Sequence, residues 1–276
     1  MANFTYAEYT KFIEEIKQPY GGYLRPSTMD KVQLTNKEEL YPEENIHPST
    51  VGMVVDYLSR FMSNGNSVED AFYISINGLN ELKRLASVRK INQYRYGTVI
   101  EQADDAILNI KGLDDKSIIA ACQLVVLDSV YRAGWGVFDY KTLDDERLIP
   151  DAHTIANIRI MVNRALDFFK EYGPVTKDGF KFIGGYTDII TAGDGDFLTE
   201  DTLWDFKVSK KPPLKEHTLQ LLIYYLMGQH SVQPYYKSLT KIGIYNPRLN
   251  IVYTKKVSDI DETILNEIAT KVIGYD

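Results

Sequence analysis

One cysteine, Cys122, stands in the 276 residues of the chain. A lone thiol excludes an intrachain disulfide framework and any zinc or iron–sulfur centre built from several cysteines of one chain. It lies inside the apolar run "SIIAACQLVVLDSVY", where a small buried hydrophobe is expected. Apolar runs of membrane-spanning length are also missing, so no membrane span is expected. The opening "MANFTYAEYTKFIEEIKQPY" lacks the apolar segment of a secretory signal. The expected setting is cytoplasmic. Basic residues are the minority: 31 Lys and Arg against 38 Asp and Glu give a net charge of −7. The overall field therefore does not attract polyanions, and a nucleic-acid partner needs a local basic surface.

What is present suffices for a sizeable core. Hydrophobic residues make up 44% of the chain, enough for one large domain or a domain with a sub-domain. Residues 1–47 open with an amphipathic helix near Tyr6 to Lys17. A Gly-, Pro- and polar-rich stretch follows that reads as an extended arm. Residues 48–173 show helical periodicity in successive blocks, one of them N-capped by Ser67. Residues 174–276 change period. "GFKFIGGYTDIIT" and "TLWDFKVS" read as strands, "PPLKEHTLQLLIYYLMGQ" as a helix, and "LTKIGIYNPRLNIVYTKKV" as a hairpin. A last helix follows, with Ser258 as its expected N-cap.

The first two of those strands carry acids where a fold needs none. If they form a hairpin around "AGDGDFLTED", simple mirror pairing sets Asp188 opposite Asp205. Directly opposed side chains lie about 4.5–5.5 Å apart at Cβ. Two carboxylates that close repel unless a cation lies between them, and Mg2+ takes one or two carboxylates readily. Lys207 follows Asp205 by two residues and shares its strand face. The loop acids Asp194, Asp196, Glu200 and Asp201 read as solvated turn residues. On the following helix Gln220 and Tyr224 stand four apart, on one face.

Together "GGYTD", "LWDFKVSKK" and "QLLIY" resemble the PD-(D/E)XK nuclease superfamily. Within it the likeness is to the RecB-like branch, which includes lambda-type exonucleases and the nucleases of CRISPR adaptation. That branch has an Asp on one strand, D/E-x-K on the next and Q-x-x-x-Y on the following helix. Asp188 takes the first place, Asp205 and Lys207 the second, Gln220 and Tyr224 the third. The motifs cover residues 181–226, and the remaining C-terminal core agrees in element order. The resemblance implies an α/β fold with a restriction-endonuclease-like core, a central mixed sheet flanked by helices. To this the chain adds a large helical N-terminal region.

The implied activity is Mg2+- or Mn2+-dependent hydrolysis of DNA phosphodiester bonds, exonucleolytic or endonucleolytic, in recombination, repair, phage replication or defence. Asp188, Asp205 and the backbone carbonyl of Phe206 would hold the metal, with Lys207, Gln220 and Tyr224 completing the catalytic set. The branch also carries an acid or His on an earlier helix. "YGTVIEQADD" resembles that pattern with Glu101 in the ligand position, and Gln102, Asp104 and Asp105 are alternatives. Lys210, Lys211 and Lys215 lie beside the site as DNA contacts. A second basic cluster, Lys83, Arg84, Arg89, Lys90 and Arg95, is interleaved with Tyr94 and Tyr96 and could track a DNA backbone. Some relatives act as rings or dimers, so a homo-oligomer is compatible. The alternative function is a catalytically silent nucleic-acid- or protein-binding module on a nuclease core, with a phage or host protein as partner.

Overall fold

The computed structural model describes residues 6–63, 65–88 and 93–276, and their side chains apart from those of 6–8 and 93–95. In chain order the principal elements are α1 (Tyr6–Glu15), β1 (Asp30–Gln33), α2 (Pro48–Ser63), α3 (Val68–Ala71) and α4 (Tyr73–Ser87). Then come α5 (Gln93–Asn109), α6 (Asp115–Leu124), α7 (Asp128–Ala133), α8 (Ala152–Tyr172), β2 (Lys177–Lys181), β3 (Asp194–Leu198) and β4 (Thr202–Phe206). The chain closes with α9 (Lys215–His230), β5 (Lys241–Asn246), β6 (Ile251–Lys256) and α10 (Glu262–Glu267). Among the described residues no helix is long and apolar enough to cross a membrane.

Two compact units result. One takes Met1–Thr35 with Phe168–Asp276, the other Asn36–Asp167. The division differs from the sequence reading, which set 1–47 apart as an arm. Residues 30–33 of that arm form β1 and pair antiparallel with β6, Lys31 opposite Tyr253. Residues 36–47 belong to the helical unit, where Asn157 on α8 binds both backbone groups of Tyr41 and Thr154 accepts from the Asn45 N–H.

The sheet unit holds six strands in the order β1-β6-β5-β4-β3-β2. Its class is α/β and its sheet is mixed: β4 and β5 run parallel, while the other neighbours are antiparallel. The parallel step requires a crossover, and α9 supplies it. Strand β4 is buried along its whole length, as a central strand covered on both faces should be. On one face Trp204 and Tyr245 pack with Phe168, whose ring stacks on Tyr245 at 4.2 Å between centroids. On the other face Leu203, Ile242 and Ile244 join Leu219, Leu222 and Ile223 of α9 in the main core cluster. Asp205 and Lys207 alternate onto this α9 face with Leu203.

The helical unit is built from α2 to α7 and α8 up to Asp167. Ser67 caps α3 as its spacing predicts, its hydroxyl accepting from the Asp70 N–H at 3.1 Å. Cys122 is fully buried in α6, and burial pushes its thiol up to about 12. A buried polar cluster ties three helices: Tyr57 of α2 and Ser75 of α4 each donate to Asp128 of α7 at 2.6 Å.

Candidate functional site

The hairpin that carries the acids turns at a different place from the one expected. Strand β3 is the segment DGDFL, which the sequence reading took for the turn, and the true turn is Thr199–Thr202, closed by Thr199 N–H to the Thr202 carbonyl. Phe197 pairs with Trp204 and Leu198 with Leu203. One step further along that register sets Asp196, not Asp188, opposite Asp205.

At that step the ladder gives way to a side chain. The Asp196 carboxylate accepts from the Phe206 N–H at 2.6 Å. Gly195, the residue before it, has no room for a side chain, because a Cβ there would collide with the Phe180 ring. The glycine lets β2 lie close against β3 and so fixes where Asp196 projects.

Asp188 is corrected accordingly. Strand β2 ends at Lys181, and Gly184, with φ +82°, helps turn the chain away. Asp188 sits exposed in a turn closed by the Thr187 N–H to the Ile190 carbonyl at 3.0 Å. The neighbouring Tyr186 does reach inward, donating from its hydroxyl to the Gly193 carbonyl at 2.7 Å.

The remaining motif residues form one connected line. Lys207 Nζ lies 3.0 Å from Asp205 Oδ1, with Asp205 only 3% exposed. Lys207 also donates to Gln220 Oε1 at 3.2 Å, and Gln220 Nε2 donates to the Tyr224 hydroxyl at 3.0 Å. The amide orientation follows from chemistry. An ammonium has only donors, so the carbonyl end of Gln220 must face it, and the NH2 end is left for Tyr224. Tyr224 is in turn stacked on Tyr9 of α1 at 5.8 Å and packed against Phe182. About one turn of α9 thereby holds the end of the lysine that follows β4.

His217 was missed by the sequence reading. It lies three residues before Gln220 on the same helix. Its Nδ1 accepts from the Leu214 N–H at 3.2 Å, so the proton of the neutral ring is on Nε2. Burial, and then the nearby Lys207 charge, push it down to about 4. The i, i+3 spacing to Gln220 was the available signal.

The other sequence candidates separate. Phe206 is buried at the end of β4, directly between Asp205 and Lys207. Lys210 and Lys211 are exposed on the linker after β4, where Asn246 Nδ2 holds the Ser209 carbonyl at 2.8 Å. Lys215 begins α9, 3.9 Å from Glu216. In the helical unit Glu101 and Asp105 are exposed on α5. Gln102 is occupied structurally, accepting from the Leu143 N–H at 2.7 Å, and Asp104 pairs with Lys83 at 2.6 Å. The second basic cluster is not an open wall in its described part: Lys83 is paired as stated, Arg84 is paired with Glu81 at 2.7 Å, and Tyr96 is buried. Arg89 and Lys90 lie outside the described residues, as does the Arg95 side chain.

No protein-family model, curated protein or solved structure matches this chain. The site therefore rests on its own chemistry. Among the described residues no three or more His, Cys, Asp or Glu side chains gather as a metal cage. Two strand carboxylates and a backbone carbonyl between Asp205 and Lys207 form a smaller set. It suits an ion that keeps several waters and takes few protein ligands, which is the habit of Mg2+.

Proposed function

We propose that this chain is a metal-dependent nuclease that hydrolyses DNA phosphodiester bonds, with Asp196 and Asp205 as the carboxylate pair. The observation that carries the reading is the connected line Asp205–Lys207–Gln220–Tyr224 with Asp196 across the hairpin from its first member. A fold gains little from burying such a line. A buried carboxylate and an ammonium lose hydration, and that loss offsets much of their attraction.

The donor set would hold Mg2+ or Mn2+ through the Asp196 and Asp205 carboxylates and the Phe206 carbonyl. When bound, such an ion lowers the pKa of water and stabilises charge on phosphoryl oxygens. The chain's own residues supply the rest. Lys207 places a fixed positive charge beside the carboxylate pair, where it can orient the attacking water or meet charge developing on the phosphate. Gln220 removes the freedom of the lysine head by accepting one of its three donors, and Tyr224 holds the amide. Both are positioning residues. His217, neutral, adds no competing cation.

The test is cleavage of linear, circular and single-stranded DNA with Mg2+ and with Mn2+, comparing the native chain with Asp196→Asn, Asp188→Asn and Lys207→Ala. Loss of cleavage in the Asp196 and Lys207 variants, with Asp188→Asn active, supports the reading. A native chain that cleaves none of the substrates overturns it and leaves the silent binding module.

A further inference from the structure

A pocket lies in the sheet unit, and neither Asp196 nor Asp205 lines it. It has a volume of about 720 Å3 and is lined by Tyr20, Arg25, Lys31, Pro212, Pro213 and Tyr253 among others. Its walls come from the N-terminal segment, the linker after β4, and β6.

Three observations indicate a ligand. Arg25 and Lys31 are exposed and form no ion pair among the described residues, in a chain whose acids outnumber its bases. Tyr253 is only 4% exposed, yet its buried hydroxyl has no hydrogen-bond partner among the described residues. A buried hydroxyl in that condition costs free energy that a bound acceptor would recover. Burial also raises the Tyr253 pKa, which keeps the hydroxyl a donor. Finally Tyr20 is 95% exposed at the rim, an aromatic face open to stacking, with the apolar rings of Pro212 and Pro213 on the same pocket.

Two cations and a hydroxyl donor suit a phosphate, and an open aromatic face beside prolines suits a base. We propose that this pocket binds one nucleotide, its phosphate against Arg25, Lys31 and the Tyr253 hydroxyl and its base against Tyr20. The choice of a nucleotide over another phosphorylated ligand rests on the nuclease reading. Pro212 follows Lys207 by five residues, so the two are at most about 18 Å apart along an extended chain. A DNA strand held at Lys207 is thus within a few nucleotides of the pocket. The segment that forms the outer wall is itself fixed to α9: Thr218 Oγ1 donates to the Leu24 carbonyl at 2.6 Å. A Cβ on Gly22, which has φ +94°, would press on Lys215.

The experiment titrates the full chain, in EDTA, with fluorescein-labelled dT12 and follows anisotropy. Thymidine 5′-monophosphate serves as competitor. Arg25→Ala is expected to weaken dT12 binding by about tenfold or more. It should also reduce the slope of log K against log salt by about 0.7, the contribution of one single-strand phosphate contact. Tyr20→Ala and Tyr253→Phe are each expected to weaken binding several-fold. Competition by the mononucleotide at concentrations near those of dT12 assigns the pocket to a free nucleotide, and its absence to a nucleotide within a strand. Native-like binding and salt slope in Arg25→Ala and Tyr20→Ala, both exposed positions, overturn the proposal, as does failure of the native chain to bind either ligand. Because EDTA prevents metal-dependent cleavage, loss of binding in these variants upholds the pocket even if the native chain proves to have no nuclease activity. Conversely, a chain that cleaves DNA but whose pocket variants bind normally refutes the pocket alone.

Discussion

Asp196 on β3 stands across the hairpin from Asp205 on β4, and its carboxylate takes the N–H of Phe206 at 2.6 Å. A backbone N–H that should serve the sheet ladder serves a carboxylate instead. This bond fixes one oxygen of Asp196 against the last residue of β4. Continued by one step, the register of Phe197 with Trp204 opposes Asp196 to Asp205, on the face that also carries Lys207.

The pair predicts unequal consequences for two acids that look alike in sequence. Asp196→Asn keeps the size and can still accept from Phe206, but removes a charge. Cleavage is expected to fall by at least about a hundredfold, on the scale of losing one charge-stabilising group. Asp188→Asn, on an exposed turn, is expected to stay within about twofold of native, since surface changes away from a site have small effects. Steady-state cleavage rates with Mg2+ check both. A large loss in Asp188→Asn would restore the register read from the sequence.

Gln220 touches only Lys207 and Tyr224 among the bonds that define the site. Gln220→Leu therefore frees the lysine head without removing its charge. A kcat lower by about tenfold to a hundredfold with KM little changed is expected, since misplacement by about an ångström is enough for such losses. Tyr224→Phe removes the second link and should cost less. If Gln220→Leu raises KM and leaves kcat unchanged, the glutamine contacts substrate and does not act through Lys207.

How far the sequence carried this reading depends on which signal was local. Gln220 and Tyr224 lie on one helix, and D-x-K lies on one strand; their relative placement is set by periods of 3.6 and 2, and the structure joins them by hydrogen bonds. The β5–β6 hairpin was equally local. Asp196 was lost because the segment "AGDGDFLTED" is rich in Asp and Gly, which are turn formers by propensity. Tertiary packing overrides that propensity here: Gly195 is demanded by the Phe180 ring, and Phe197 packs with Phe169 and Trp204. The parallel pairing of β4 with β5 and the pocket beside Tyr253 are long-range facts with no trace in local pattern. The N-cap of α10 also moved, from Ser258 to Asp261, which accepts from the Thr263 N–H at 2.9 Å.

Gly243 gives a stability prediction inside the same sheet. It pairs with Trp204 across the parallel ladder, and a Cβ on it would collide with the indole ring. That ring cannot easily yield: its Nε1 donates to Thr199 at 3.0 Å and Phe168 packs edge-on against it at 4.9 Å. Gly243→Ala should cost about 1–3 kcal/mol as an overpacked core. Urea denaturation measures it. A neutral result would mean that β5 shifts freely against β4.

The last prediction concerns Asp128 in the helical unit. Burial raises its carboxyl above the ordinary value, against the lowering effect of the Ser75 and Tyr57 hydroxyls and of Arg132 at 3.8 Å. In the folded chain the group thus holds a proton at pH values where the unfolded chain, near about 3.9, has released it. Stability from this group is fully present below the unfolded value and is lost as pH rises through the raised folded one. Asn at this position cannot titrate. The stability of the native chain relative to Asp128→Asn should therefore improve on acidification from neutral pH toward about pH 4. Tyr57→Phe removes a 2.6 Å donor to the same carboxylate and should destabilise at neutral pH by about 1–3 kcal/mol, the cost of leaving a buried acceptor short of a partner. Denaturation curves at several pH values test both claims. A native-minus-Asn difference that stays flat with pH would show that Asp128 ionises normally despite its burial.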